Sequence, residues 1–231
     1  MPWKDGYTIS DEISLFDDDV RWPEDSQVCM TVMLDLSLAS SPVGLTAADL
    51  RRSAAVFGMN EGLAQVRAIF NRFDIKATVP VPAAMARIMP DEIKALRDDG
   101  HEIAAQGLKH EDVSTFSRKE EQSRLAMTTE ILEGLTGKRP EGWFSLPRPN
   151  DPFAVGTVSP NTHDLLIENG YSYMGNGLSD AIPHYWVTDF ASNRAILTLP
   201  YFYHFDDQFF LMFPKKGTGL EHADTLFANW N

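Results

Sequence analysis

The chain has 231 residues, 43% of them hydrophobic and 23% charged, and a formal net charge of −13. That composition is globular and long enough for one sizeable core or a single barrel. So acidic a surface repels phosphate backbones, which argues against nucleic acid as a partner and favours solubility.

Residues 1–26 are polar, show no clear period and carry Trp3, Tyr7, Phe16 and Trp22. They read as an N-terminal arm that must dock on something to cover its aromatics. The start of the chain has no apolar h-region, so it is not a signal peptide. No stretch approaches the roughly 20 apolar residues that span a bilayer. The single cysteine, Cys29, rules out a disulfide within the chain and fits a reducing compartment. A soluble, cytoplasmic protein with no membrane partner is therefore expected.

The domain proper is expected over 27–231. The run VCMTVML (28–34) reads as a strand buried on both faces and ends at Asp35. Residues 40–55 form a loop or helical insertion. Residues 60–73 carry Leu63, Val66, Ile69, Phe70 and Phe73 at helical spacing. IKATVPV (75–81) is the second strand, with Pro80 marking its end. A helix over 90–99 has proline in its first turn and stops at Gly100. Residues 102–106 are the third strand, closing in a polar loop that holds His110. The longest helix, 117–135, opens with Ser117 and Glu120 as a capping box. A fourth strand covers 142–146, a helix 159–169, and short strands 171–174, 186–188 and 196–199. FFLMF (209–213) is a late apolar run. Alternating strands and helices argue one α/β domain with a mainly parallel sheet, wound into a barrel or an open sheet.

Several residues could carry chemistry. Asp35, at the exit of a buried strand, is a ligand, a base or the cap of the next loop. His110 lies beside Glu111 and Asp112, which could orient its ring or raise its pKa. Its other reading is a solvated or structural histidine. Arg148 is a cation at another strand end, or a surface arginine. Of Asp206 and Asp207, adjacent among aromatics, at most one can point inward. His101 starts the third strand at the end away from the active face and reads as structural. No paired His/Cys spacing supports a structural zinc site. There is no phosphate-binding glycine loop, and GLTGK (134–138) reads as a helix C-cap. There is no GxSxG elbow, and a lone buried cysteine is a poor nucleophile.

The segments WPEDSQVCMTVMLDLSLA (22–39), IKATVPVPAAMA (75–86), GHEIAAQGLKHED (100–112), LTGKRPEGW (135–143), SPNTHDLLIENGYSYMGN (159–176), SDAIPHYW (179–186) and LPYFYHFDDQFFLMF (199–213) occur in order. Together they resemble the polysaccharide deacetylase (NodB-homology) superfamily. The resemblance is to its intracellular branch of peptidoglycan-deacetylase-like proteins, metal-independent allantoinases and cyclic imide hydrolases. It implies a distorted, possibly incomplete (β/α) barrel. The family's Asp-x-Asp motif falls on Asp35, in the place of its general base, and on Ser37, in the place of a metal carboxylate. The family's two metal histidines fall on Gln106 and His110. Pocket-lining positions fall on Trp143 and Arg148, and an acidic position near the substrate on Asp180.

With Ser37 and Gln106 at ligand positions, the resemblance implies no metal and no other cofactor. It leaves two functions open. One is hydrolysis of a non-peptide amide-like C–N bond in a small molecule, such as a cyclic amide, ureide or N-acyl group. There Asp35 would activate water, and His110 would donate a proton or hold the carbonyl. Ser37, Gln106 or backbone N–H groups would stabilise the oxyanion. The other is a catalytically inactive homologue that binds a ligand or partner subunit. Relatives continue into a strand with a His-Pro pair, whose histidine acts as general acid, whereas this sequence ends at Asn231. The last barrel segment is expected to be naturally absent, removed, or supplied by another chain. FFLMF, Leu226, Phe227 and Trp230 would then be buried in a homo-oligomer.

Overall fold

Short runs of valine, isoleucine and alanine, separated by amphipathic segments, fold as alternating strands and helices. The computed structural model describes Ser26, residues 29–39, 41–145, 157–177 and 183–201, and Asp224, Phe227 and Ala228. Strands β1 (Thr78–Val81), β2 (Glu102–Ala105), β3 (Gly142–Trp143), β4 (Tyr173–Gly177), β5 (His184–Asp189) and β6 (Arg194–Pro200) form one sheet. Its order is β1-β2-β3-β4-β6-β5, and among the described residues it is not closed. Every pairing is parallel except β5 with β6. The helices are α1 (Ser53–Phe57), α2 (Leu63–Arg72), α3 (Ala83–Ile88), α4 (Pro90–Asp98), α5 (Arg118–Thr136) and α6 (Thr162–Glu168). The chain divides into two units, Met1–Thr31 and Val32–Asn231. In the first, Ser26, Cys29, Met30 and Thr31 are exposed and carry no regular structure.

The strand expected over 28–34 is displaced toward the C-terminus. Residues 32–38 run beside β1, bonded through Thr78 N–H to Val32 O (3.0 Å), Leu34 N–H to Thr78 O (3.0 Å) and Leu36 N–H to Pro80 O (3.3 Å). Only one bridge, Met33 with Thr78, completes a ladder there. Pro80 is the reason: it has no N–H to donate on the side where Thr78 donates, so the rung it would make is missing. Pro80 also lies inside β1 rather than at its end. Cys29, expected in a buried strand, is exposed, and Met30 is 80% exposed.

The helix expected from residue 60 begins at Leu63, after a wide π-turn over Gly58–Gly62 with a glycine at each end. Helix α4 carries Pro90 in its first turn, and Gly100 follows it at φ 87°. In α5 the Ser117 hydroxyl accepts the Glu120 N–H (3.3 Å), and Gly137 ends the helix at φ 73°. The fourth strand is shorter than expected. The last three are longer, with β4 shifted to Tyr173–Gly177.

The sheet's two faces do different work. Val79, Val81, Ile103, Ala105, Trp143, Met174 and Ile196 share a core with Met85 of α3, Ile93 and Leu96 of α4, Leu125 and Leu132 of α5, and Leu165 and Leu166 of α6. Each large side chain fully buried there contributes about 1.5–3 kcal/mol. The alternate positions take the other face. There Glu102 accepts hydrogen bonds from the Thr78 hydroxyl and the Tyr173 phenol, both at 2.8 Å. Gly142 leaves room for the Tyr173 ring, and Phe144 meets that ring edge-on at 6.1 Å.

Candidate functional site

The 32–38 segment is extended, so its side chains alternate. Leu34, Leu36 and Leu38 pack on the core, which turns Asp35 and Ser37 to the opposite face. On β2, Ile103 and Ala105 face the helices, and Gln106 follows on the side that Asp35 faces. The two elements meet there. Gln106 Nε2 donates to Asp35 Oδ2 (3.1 Å), and the Ser37 N–H donates to Asp35 Oδ1 (2.6 Å). Asp35 is exposed, while Gln106 and His110 are buried.

His110 reaches this group from the loop after β2. Its backbone is left-handed at φ 57°, an uncommon conformation for a residue with a side chain. Neighbours hold the loop in place. The Ala83 and Ala84 N–H groups at the start of α3 donate to Gly107 O and Leu108 O (3.0 and 2.9 Å). The Leu45 N–H donates to Lys109 O (2.7 Å), and the Asp112 N–H to Pro42 O (2.9 Å). Gly44, at φ 79°, allows the approach, since a Cβ there would stand 2.5 Å from Lys109 O. Buried Glu111 ties the loop to α5, accepting from the Lys109 N–H (2.5 Å) and from Arg124 Nη1 (3.2 Å).

The His110 Nδ1 lies 2.5 Å from Ser37 Oγ, which also accepts the Ala39 N–H (3.2 Å). Burial pushes the His110 pKa below the ordinary histidine value. The Asp35 carboxylate, the Ser145 backbone and Glu111 act in the other direction without reversing it. The ring is therefore neutral at neutral pH. Two buried side-chain atoms here, Gln106 Oε1 and His110 Nε2, have no hydrogen-bond partner among the described residues.

Asp35, Ser37, Gln106 and His110 thus form one connected group. Trp143 does not join it. Its ring packs edge-on against Tyr171 at 5.7 Å within the helix-facing core. The adjacent Phe144, whose N–H donates to Ala105 O (2.8 Å), takes the face of Gln106 instead. Phe144 was missed because a strand's facing flips with a one-residue change of phase. Glu111 as the loop's buried tie was missed because it depends on Arg124, which is close only in the fold. Arg148, Asp180, Asp206 and Asp207 lie outside the described residues, as does FFLMF. His101 is structural as expected: its Nδ1 accepts the Ala77 N–H (3.2 Å). A separate groove of about 390 Å³ along α5, lined by residues including Thr129, Glu133 and Arg139, contains none of the candidate residues.

The donor set does not fit a divalent transition metal. Ser37 Oγ is a neutral oxygen already bonded to His110, and Gln106 offers only a neutral amide oxygen, Oε1, leaving one imidazole and one carboxylate as strong ligands. Among the described residues no group of three or more His, Cys, Asp or Glu could hold a metal ion. Nor is any described helix long and apolar enough to cross a membrane.

A family model described as polysaccharide deacetylase matches residues 42–173. A peptidoglycan deacetylase of Helicobacter pylori is 28% identical over 134 residues, covering 58% of this chain and 43% of that protein. The peptidoglycan deacetylase-like protein FGM2 of Gibberella zeae is 36% identical over 123 residues, covering 52% of this chain and 34% of that protein. The chain therefore spans less than half the length of these curated relatives. A crystal structure of PuuE allantoinase matches with a TM-score of 0.72 at 22% identity, covering 90% of this chain and 72% of that one. At that identity the likeness is one of fold.

Proposed function

The chain belongs to the polysaccharide deacetylase family and folds as a NodB-type (β/α) barrel whose described sheet is open, and on that premise we propose that it hydrolyses a non-peptide amide-like C–N bond in a small molecule without a metal. One observation carries this reading. An exposed carboxylate, Asp35, is oriented by the Ser37 N–H and the Gln106 amide beside the buried neutral imidazole of His110.

In this reading Asp35 takes a proton from water as the water oxygen attacks the carbonyl carbon. The carbonyl π electrons move to oxygen, where the His110 Nε2–H meets the developing charge. In the tautomer that carries the proton on Nε2, the Ser37 hydroxyl, which also accepts the Ala39 N–H, donates its own proton to Nδ1. As the intermediate collapses, the C–N bond breaks and the proton held by Asp35 passes to the leaving nitrogen. A carboxylic acid and a protonated nitrogen result, and Asp35 is again a carboxylate. The nitrogen belongs to an amide or urea when a cyclic imide or ureide is opened, and to an amine when an N-acyl group is removed. Without a Lewis acid, a strained or activated carbonyl suits the site best. A cyclic imide or ureide is the favoured substrate, ahead of an N-acyl sugar.

Ser37 and Gln106, standing at the family's metal-ligand positions, also favour a second reading, a non-catalytic protein that binds a ligand in the same place. One experiment separates the two. Chelator-treated protein is assayed against cyclic imides, ureides and N-acetyl sugars, with Asp35→Asn as the control. Hydrolysis that survives chelation and falls at least about a hundredfold in Asp35→Asn supports the proposal. Turnover unchanged by the substitution removes Asp35 as base. No turnover anywhere leaves the binding reading.

A further inference from the structure

Gln106 has one amide with two unlike ends, and its neighbour decides which end faces where. The Asp35 carboxylate only accepts hydrogen bonds, so it takes Nε2 at 3.1 Å. Turning the amide over would set two oxygens against each other, so the orientation is fixed by chemistry. Oε1 is left buried with no partner among the described residues, on a side chain that is 3% exposed. A buried acceptor left unpaired is costly and uncommon, and it marks a place where something else donates. His110 Nε2 is in the same condition, and it is a donor in the tautomer in which the Ser37 hydroxyl donates to Nδ1. Both residues are tied to the short stretch that carries Asp35 and Ser37.

A donor and an acceptor tied to the stretch that carries a base would complement the edge of an unsubstituted amide. The carbonyl oxygen meets His110 Nε2–H, and the amide N–H meets Gln106 Oε1. In a small ring the C=O and N–H lie on the same side of the bond, so both contacts form at once.

We infer that Gln106 is a specificity-determining residue, whose Oε1 accepts a hydrogen bond from the N–H adjoining the scissile carbonyl, so that N-unsubstituted substrates are selected over N-alkylated ones. This rests on the amide-hydrolase reading and deepens it. An N-methyl group supplies no donor and leaves Oε1 unpaired, and a site built around a hydrogen bond discriminates strongly against the analogue lacking it. A buried water on Oε1 would also satisfy the acceptor, but it would confer no such selectivity.

The test uses matched pairs: succinimide, hydantoin and dihydrouracil, each against its derivative methylated at the nitrogen of the scissile bond. Wild-type protein is expected to prefer the N–H member of at least one pair by roughly tenfold or more in kcat/KM. In Gln106→Met, which keeps the length of the side chain and removes the amide, that ratio is expected to fall to about one. Absolute rates fall for both members because Asp35 loses a donor, so the ratio is the readout. If no compound is hydrolysed, the hydrolase reading fails by itself, and calorimetric binding of the same pairs still tests Gln106. N–H-selective binding that disappears in Gln106→Met supports the inference. Equal affinity within every pair, no binding of any pair, or selectivity that survives in Gln106→Met overturns it. The wild-type ratio stands even if the variant does not fold.

Discussion

His163 of α6 is a half-buried imidazole outside the candidate site, and its surroundings make it a probe of stability. Its ring stacks on Trp186 of β5 at 4.7 Å and 9°. Burial pulls its pKa from 6.5 to about 4, with the Asp164 carboxylate acting weakly the other way. The unfolded chain therefore takes up a proton below pH 6.5 that the folded protein refuses until about pH 4. The stability at stake is present above 6.5 and lost as pH falls toward 4, with an upper bound of roughly 3 kcal/mol. His163→Phe keeps a flat ring on Trp186 and removes the titration. Urea unfolding at pH 7 and pH 5 should show a smaller loss in this variant than in wild type. Equal losses would mean that His163 is not shielded from protons as its packing requires. Buried Glu121 of α5 works in the opposite sense, since burial raises its pKa. It does so in both proteins and cancels from the comparison.

At the scale of elements, small residues decide how close the strands and rings can come. A Cβ on Gly142 would lie 2.1 Å from Cζ of Tyr173, inside the ring that seals Glu102. Gly142→Ala should therefore destabilise the protein by roughly 1–3 kcal/mol, the usual cost of overpacking. A double variant with Tyr173→Val should recover part of that loss in urea unfolding. If the single change is neutral, β3 and β4 are further apart than their pairing implies. Gly142 and Tyr173 also show what was legible in the chain. The strands and caps could be read because periodicity and capping chemistry are local: Ser117, Gly137, Gly100 and Pro90 mark their helices from sequence alone. Asp35, Ser37, Gln106 and His110 could be grouped because a period of two puts the first pair on one face and a strand end carries the second. The facing of Trp143 could not be read. It depends on the register Ala105↔Trp143, which is set by packing against Tyr171 rather than by β3 itself. The missing rungs beside β1 were legible in principle, since Pro80 has no N–H wherever it sits, but the partner that needed it was known only from the fold.

For the whole molecule, two properties pull against each other. The formal net charge of −13 makes copies of the chain repel. Yet α1 and α2 leave large apolar side chains in water: Phe57 is 56% exposed, Ile69 52% and Phe73 63%. Ile69 of α2 and Phe73, the residue that caps its C-terminal end, stand one helical turn apart on one side. The homo-oligomer expected from the sequence buries the C-terminal apolar residues; we propose that this exposed side of α2 also packs against a second copy, and that proposal has a testable consequence. Salt at about 0.5 M shortens the reach of charge repulsion to a few ångströms without weakening apolar contact. Association should therefore strengthen as salt is added, the reverse of an assembly held by ion pairs. Light scattering at low protein concentration should show the mass rising between low and high salt. Ile69→Lys with Phe73→Glu, changes at exposed positions that leave the core intact, should hold the protein at monomer mass throughout. A wild-type monomer at every salt concentration would end the proposal. An oligomer that salt dissociates would move the interface from this apolar side to charged residues elsewhere on the surface.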